Sequence, residues 1–155
     1  MTIEIDILEP YQAMVNRARL EEAARRALAA EQAQGDVTIL ITDDETVAEL
    51  NQRYLGKAGP TDVLSFPTQT PGLSDGFVLP PDESPYLGDI IIALPYTQRQ
   101  AERLHRPLED ELALLVVHGI LHLLGYDHAT PEEKAHMWER QNHILATLGI
   151  PPLEA

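Results

Sequence analysis

The segment His118-Gly-Ile-Leu-His122-Leu-Leu-Gly125-Tyr-Asp127-His128 constrains this chain more than any other. Residues four apart on a helix share a face, so His118 and His122 point the same way. Gly125 lacks a Cβ and can take the left-handed conformation that ends a helix. The chain then turns back and brings His128 to the same point. Three neutral imidazoles with an open fourth position suit a catalytic zinc, here one ion per chain. Chance histidines on a buried helix are the plainer reading. Three at this spacing, with glycine at the turn, make that reading poor.

The spacing equals that of the metzincin proteases, His-Glu-x-x-His-x-x-Gly-x-x-His. Those enzymes carry their general base beside the first histidine. Here that position is Gly119, which cannot move a proton. The ligand set is therefore expected without the protease base.

At 155 residues and 44% apolar content, the chain fits one globular domain, residues 1–155. The absence of cysteine excludes disulfides and thiolate metal sites and suits a reducing, cytoplasmic setting. The acidic, alternating start Met1-Thr-Ile-Glu-Ile-Asp does not read as a secretory signal. Apolar runs such as Leu112 to Val117 are too short to span a bilayer, so no membrane partner is expected. The net charge of −14 argues by itself against nucleic acid, but it leaves room for a local basic cleft.

Alternation of Ile3, Ile5 and Ile7 with acids predicts a strand over 2–8. Pro10 is expected to open a helix that runs to about Gln34 and is stopped by Gly35. Val37 to Ile41 reads as a strand, and Thr42-Asp-Asp-Glu45 as a capping box for a helix to about Tyr54. Asp62 to Phe66 is a short strand. Residues 68–87, with four prolines and two glycines, read as a lid or a disordered loop. Gly88 to Leu94 is a strand, and Pro95 starts a helix to about His105. Pro107 precedes the histidine helix, Leu108 to Leu124. Thr130-Pro-Glu-Glu133 caps a last helix, to about Leu148. The expected fold is α/β: a single layered domain, a small mixed sheet covered by helices, with the metal site on a central helix and the following turn.

A second segment, Tyr54-Leu-Gly56-Lys57-Ala-Gly-Pro60-Thr61-Asp62-Val63-Leu64-Ser65-Phe66-Pro67, is physically a Gly/Pro turn feeding a strand. With both segments in view the chain resembles the YbeY family, bacterial rRNA maturation factors and endoribonucleases. The family pattern His-Gly-x-Leu-His-Leu-x-Gly-Tyr-Asp-His is met from His118 to His128. Pro-Thr-Asp-Val-Leu-Ser-Phe-Pro is met from Pro60 to Pro67, and Leu-Gly-Asp-Ile-x-Ile from Leu87 to Ile92. The resemblance implies a zinc-dependent hydrolase of single-stranded RNA that works on small-subunit rRNA 3′ ends and in ribosome quality control. It carries the zinc ligands over to His118, His122 and His128. Many members have Tyr-Arg-Gly-Lys, whose arginine is implicated in activity; this chain has Leu55 there.

Lys57 is the first candidate for a cation beside the phosphate, against the alternative of a solvated lysine. Asp127 is a candidate for orienting a ligand histidine, against that of a turn cap. Ser65 is a substrate contact or a structural serine. Arg99, Arg103, His105 and Arg106 form the densest basic cluster, read as a solvated face pairing with Glu102 and Glu109 more readily than as an RNA track. His136 and His143 are taken as non-ligands, and Tyr126 and Trp138 as packing residues. Two rival functions stand beside the nuclease: a zinc metalloprotease, disfavoured by Gly119, and a non-catalytic ribosome-assembly factor with structural zinc, to which Leu55 lends weight.

Overall fold

The computed structural model describes residues 2–68 and 85–151. The expected lid or loop over 68–87 lies almost wholly outside the described residues. Four strands form one mixed sheet: β1 (Ile3–Ile7), β2 (Asp36–Thr42), β3 (Val63–Pro67) and β4 (Tyr86–Ala93), in the order β1-β2-β4-β3. β1, β2 and β4 run parallel, and β3 closes the edge antiparallel to β4. This is the small mixed sheet covered by helices that the sequence pattern predicts.

The two faces follow from alternation along the strands. Ile5, Ile7, Val37, Ile39, Ile41, Ile90 and Ile92 join the main core under α1 (Arg17–Ala30), α4 (Leu108–Leu123) and α5 (Pro131–Thr147). Ile91, Ala93 and Leu64 face the other way, under Val47 of α2 (Asp44–Leu55) and beside Tyr96 of α3 (Leu94–Leu104). α4 is the central helix. Leu112, Val116, Val117, Ile120 and Leu121 are all fully or nearly fully buried. Burying such side chains stabilises the fold by roughly 1.5–3 kcal/mol each.

Several local expectations need correction. The first helix does not begin at Pro10. Residues Glu9–Met14 form a 3₁₀ segment, Val15 is extended, and Asn16 caps α1 by accepting the Arg19 N–H at 3.2 Å. The asparagine offers the backbone a better start than continuation through Val15. Nor does Gly35 stop α1, which ends at Ala30 with Gln32 at φ 53°. A Cβ on Gly35 would meet Leu87 at 2.4 Å, so glycine stands there for close packing. The α2 cap is Asp43 rather than Thr42: its carboxylate accepts the Thr46 N–H at 2.7 Å. Thr42 is the buried end of β2. Thr130 caps α5 through the Glu133 N–H, as its capping box predicts.

No helix among the described residues is long and apolar enough to cross a membrane.

Candidate metal centre

His118 and His122 sit one turn apart near the end of α4, with ring centroids 4.6 Å apart. The helix ends in a paired turn: Gly125 N–H reaches the His122 carbonyl and Tyr126 N–H reaches the Leu121 carbonyl, both at 3.0 Å. That pattern needs a left-handed residue, and Gly125 supplies it at φ 102°. The turn delivers His128, whose ring lies 5.2 Å from His122 and 6.0 Å from His118. Each of the three offers a nitrogen, all within 4.8 Å of one another, the one such group found among the described residues.

Hydrogen bonds set the ring tautomers. His122 Nδ1–H donates to the Tyr126 carbonyl at 2.9 Å, and His118 Nδ1–H donates to Gln141 Oε1 at 2.8 Å. Neutral rings held this way present bare Nε2 lone pairs, and those two Nε2 atoms lie 3.1 Å apart. Two lone pairs at that distance repel unless a cation lies against both. The donor set therefore fits a nitrogen-loving divalent metal. Burial pushes His118 down to about 4, with the neighbouring imidazoles helping and Gln141 and Asp62 opposing. Burial likewise lowers His122. Neutral imidazole is the form that ligates a metal.

The supports come from distant chain. Trp138 sets its ring edge-on to His118 and His128, at 5.7 and 6.0 Å. Tyr126 donates its hydroxyl to Glu31, which Arg140 also holds at 2.8 Å, so α1 and α5 pin the turn. His136 stacks on Tyr126 and stands outside the ligand group. Asp127 is exposed and accepts the His128 N–H at 2.8 Å. The groups on the ring Nδ1 atoms are instead Gln141 and the Tyr126 carbonyl. Gln141 went unnoticed in the sequence. Its signal was a polar residue amid Met137, Ile144 and Leu145 on the apolar stripe of α5, where it is fully buried.

The nitrogens open into a cavity of about 640 Å³. Its opposite wall is the end of α2 with the turn and strand that follow: Leu55, Lys57, Thr61, Asp62 and Ser65. Gly56 ends α2 left-handed at φ 67°, and Asn51 holds the Gly59 carbonyl at 3.0 Å. Lys57 and Asp127 thus line the same space as the histidines. Leu55 also faces it and is 51% exposed. A second cavity of about 380 Å³ adjoins on the other side of His118 and His128, lined by Asp62, Gln100, Arg106, Glu111 and Trp138. The basic cluster is paired differently from expectation. Arg99 bridges to Asp44 of α2 at 2.7 Å and Arg106 to the buried Glu111 of α4 at 3.3 Å, in place of Glu102 and Glu109.

Position 119 is closed. A Cβ there would lie 2.9 Å from Ile90 in β4. The helix side that carries the metzincin base is packed on the sheet in this chain.

The profile of the family described as Endoribonuclease YbeY matches residues 4–149. An Endoribonuclease YbeY from a Roseiflexus species is 46% identical over 152 residues, covering 96% of this chain and 94% of its own. One from Geobacillus thermodenitrificans is 38% identical over 154 residues, covering 97% and 99%. A solution structure of a Thermotoga maritima protein aligns with a TM-score of 0.61 at 25% identity, covering 94% of this chain and 87% of that one.

Proposed function

This chain belongs to the Endoribonuclease YbeY family, and on that premise we propose that it is a zinc-dependent, single-strand-specific endoribonuclease. The observation that carries the reading is the convergence of bare histidine nitrogens in a cavity walled on its far side by Lys57. The whole of residues 1–155 is proposed to act as one hydrolase domain with one zinc. Its proposed substrate is single-stranded RNA at the 3′ end of small-subunit rRNA, met on the small ribosomal subunit in the cytoplasm.

His118, His122 and His128 would hold the ion, which when bound supplies a Lewis acid that polarises a phosphoryl oxygen and lowers the pKa of water. Gln141 and the Tyr126 carbonyl keep the His118 and His122 rings in the ligating tautomer. Asp127 shapes the turn that presents His128. Lys57 places a positive charge where negative charge builds on the phosphoryl oxygens. The protease reading loses ground because position 119 has no room for a side chain. The assembly-factor reading keeps one specific support, an aliphatic Leu55 on the cavity wall where the family resemblance implies an arginine.

The test is purified protein with a single-stranded RNA oligomer and with casein, with and without chelator, and metal analysis of the same preparation. RNA cut, casein intact, activity lost to chelator and restored by zinc would support the nuclease. An inert zinc-loaded protein that still binds small subunits would favour the assembly factor instead.

A further inference from the structure

Hydrolysis by water needs a group that takes the proton from the attacking oxygen. Position 119 is excluded by Ile90, so that group must come from another wall. The carboxylates lining the two cavities are Asp62, Glu111 and Asp127. Glu111 is 1% exposed and tied to Arg106 and Gln100. Asp127 is exposed and lines only the first of the two cavities. Asp62 alone lines both cavities, each time together with His118 and His128.

Asp62 is also held firmly. Its carbonyl accepts the Ala93 N–H at 3.0 Å, fixing it where β4 passes into α3. Oδ1 accepts the Val63 N–H at 2.7 Å and the Thr61 hydroxyl at 3.3 Å, and Oδ2 accepts Gln100 Nε2 at 3.1 Å. Gln100 Nε2 is shared with Glu111 at 3.2 Å, so the arrangement is anchored in the core. The carboxylate shares both cavities with His118 and His128, yet it stands outside the 4.8 Å ligand group. A half-buried, oriented carboxylate that lines the histidine cavity without joining the ligand group has the placement of a general base.

We infer that Asp62 is the proton-transfer residue of this site, a role that rests on the nuclease reading. The Asp62 carboxylate takes one proton from the attacking water as its oxygen bonds to phosphorus. The bond from phosphorus to the leaving sugar oxygen, in line with the attacking oxygen and on the opposite side, then breaks, and that oxygen takes a proton from solvent. The water's other proton stays with the new phosphate, and Asp62 gives its proton to solvent and returns to its starting form. Gln100 is the positioning residue that aims the carboxylate.

The experiment compares wild type, Asp62→Asn and Asp62→Glu, all zinc-loaded. Four quantities are read: zinc per chain, melting temperature, affinity for a single-stranded RNA oligomer and single-turnover cleavage. Asp62→Asn should keep zinc, fold and RNA affinity, the last within about twofold, while cleavage falls about 10²- to 10⁴-fold, the usual worth of acid–base catalysis. Asp62→Glu should recover part of the rate, because it restores the carboxylate at a shifted position. Unchanged cleavage in Asp62→Asn overturns the assignment. So does a loss explained by missing zinc, weaker RNA binding or a collapsed melting temperature, and so does Asp62→Glu being no better than Asn. A wild-type protein that cuts no RNA overturns the nuclease reading itself, and this inference falls with it.

Discussion

The cavity has a helical wall and a turn-and-strand wall, and they are built by different rules. His118 and His122 share a face because a helix places residues four apart together, and His128 follows through one glycine turn. Across the gap, Leu55, Lys57 and Asp62 reach the same space only because β3 pairs with β4 and α4 packs over the sheet. The helical wall stands on the core, with His118 and His122 half-buried; the other is more open, with Leu55 51% exposed and Lys57 on the surface. In the proposed reading the first wall holds the metal and the second handles the substrate.

If that division is right, the largest effect comes from the helical wall. His122→Ala should reduce zinc from one per chain to a small fraction, read by elemental analysis. Unchanged zinc would remove the division altogether. The melting temperature should also fall, since metal bound only by the folded state adds to its stability.

The next effect is acid sensitivity of the metal-free protein. His118 has a folded value of about 4 against 6.5 in its ordinary state. A lowered histidine binds its proton first in the unfolded chain. Its contribution is therefore fully present above pH 6.5 and is lost as pH falls from 6.5 toward about 4. The loss should approach about 3 kcal/mol, seen in urea titrations of zinc-free protein across that window. A flat wild-type profile, or the same loss in His118→Ala, would show that burial of this ring does not shape stability.

A smaller effect is expected behind the ligands. Gln141→Leu removes the acceptor for His118 Nδ1–H and should weaken zinc affinity by about 10- to 100-fold, measured by chelator competition. Wild-type affinity in this variant would mean the ring is aimed by Trp138 packing alone.

The smallest effect belongs to the open wall. Leu55→Arg adds a cation facing the cavity, and at an exposed position the gain should be near about tenfold in cleavage, or about 1.5 kcal/mol. The fold should tolerate it, because Leu55 is 51% exposed. No gain would mean that Lys57 already supplies the needed charge, and Lys57→Ala then tests that point. Unfolding would show that Leu55 is needed for packing.

The sequence by itself determined what depends on short-range geometry. The strand alternation at Ile3 to Ile7, the Pro107 entry to α4, the Thr130 cap and the three-histidine turn each rest on spacing within a few residues, and each is found. Where two local signals compete, as at Val15 and Asn16 or at Thr42 and Asp43, the pattern narrows the boundary but the backbone's hydrogen bonds choose it. Only the tertiary structure decided the remainder. Gly119 against Ile90, Gly35 against Leu87, Gln141 on His118 and Asp62 in one cavity with the histidines bring together residues 23 to 66 positions apart in the chain. No local periodicity encodes such pairs. They arise when sheet register and helix packing bring separate surfaces together, and a polar side chain then finds a partner that the chain's own neighbourhood does not contain.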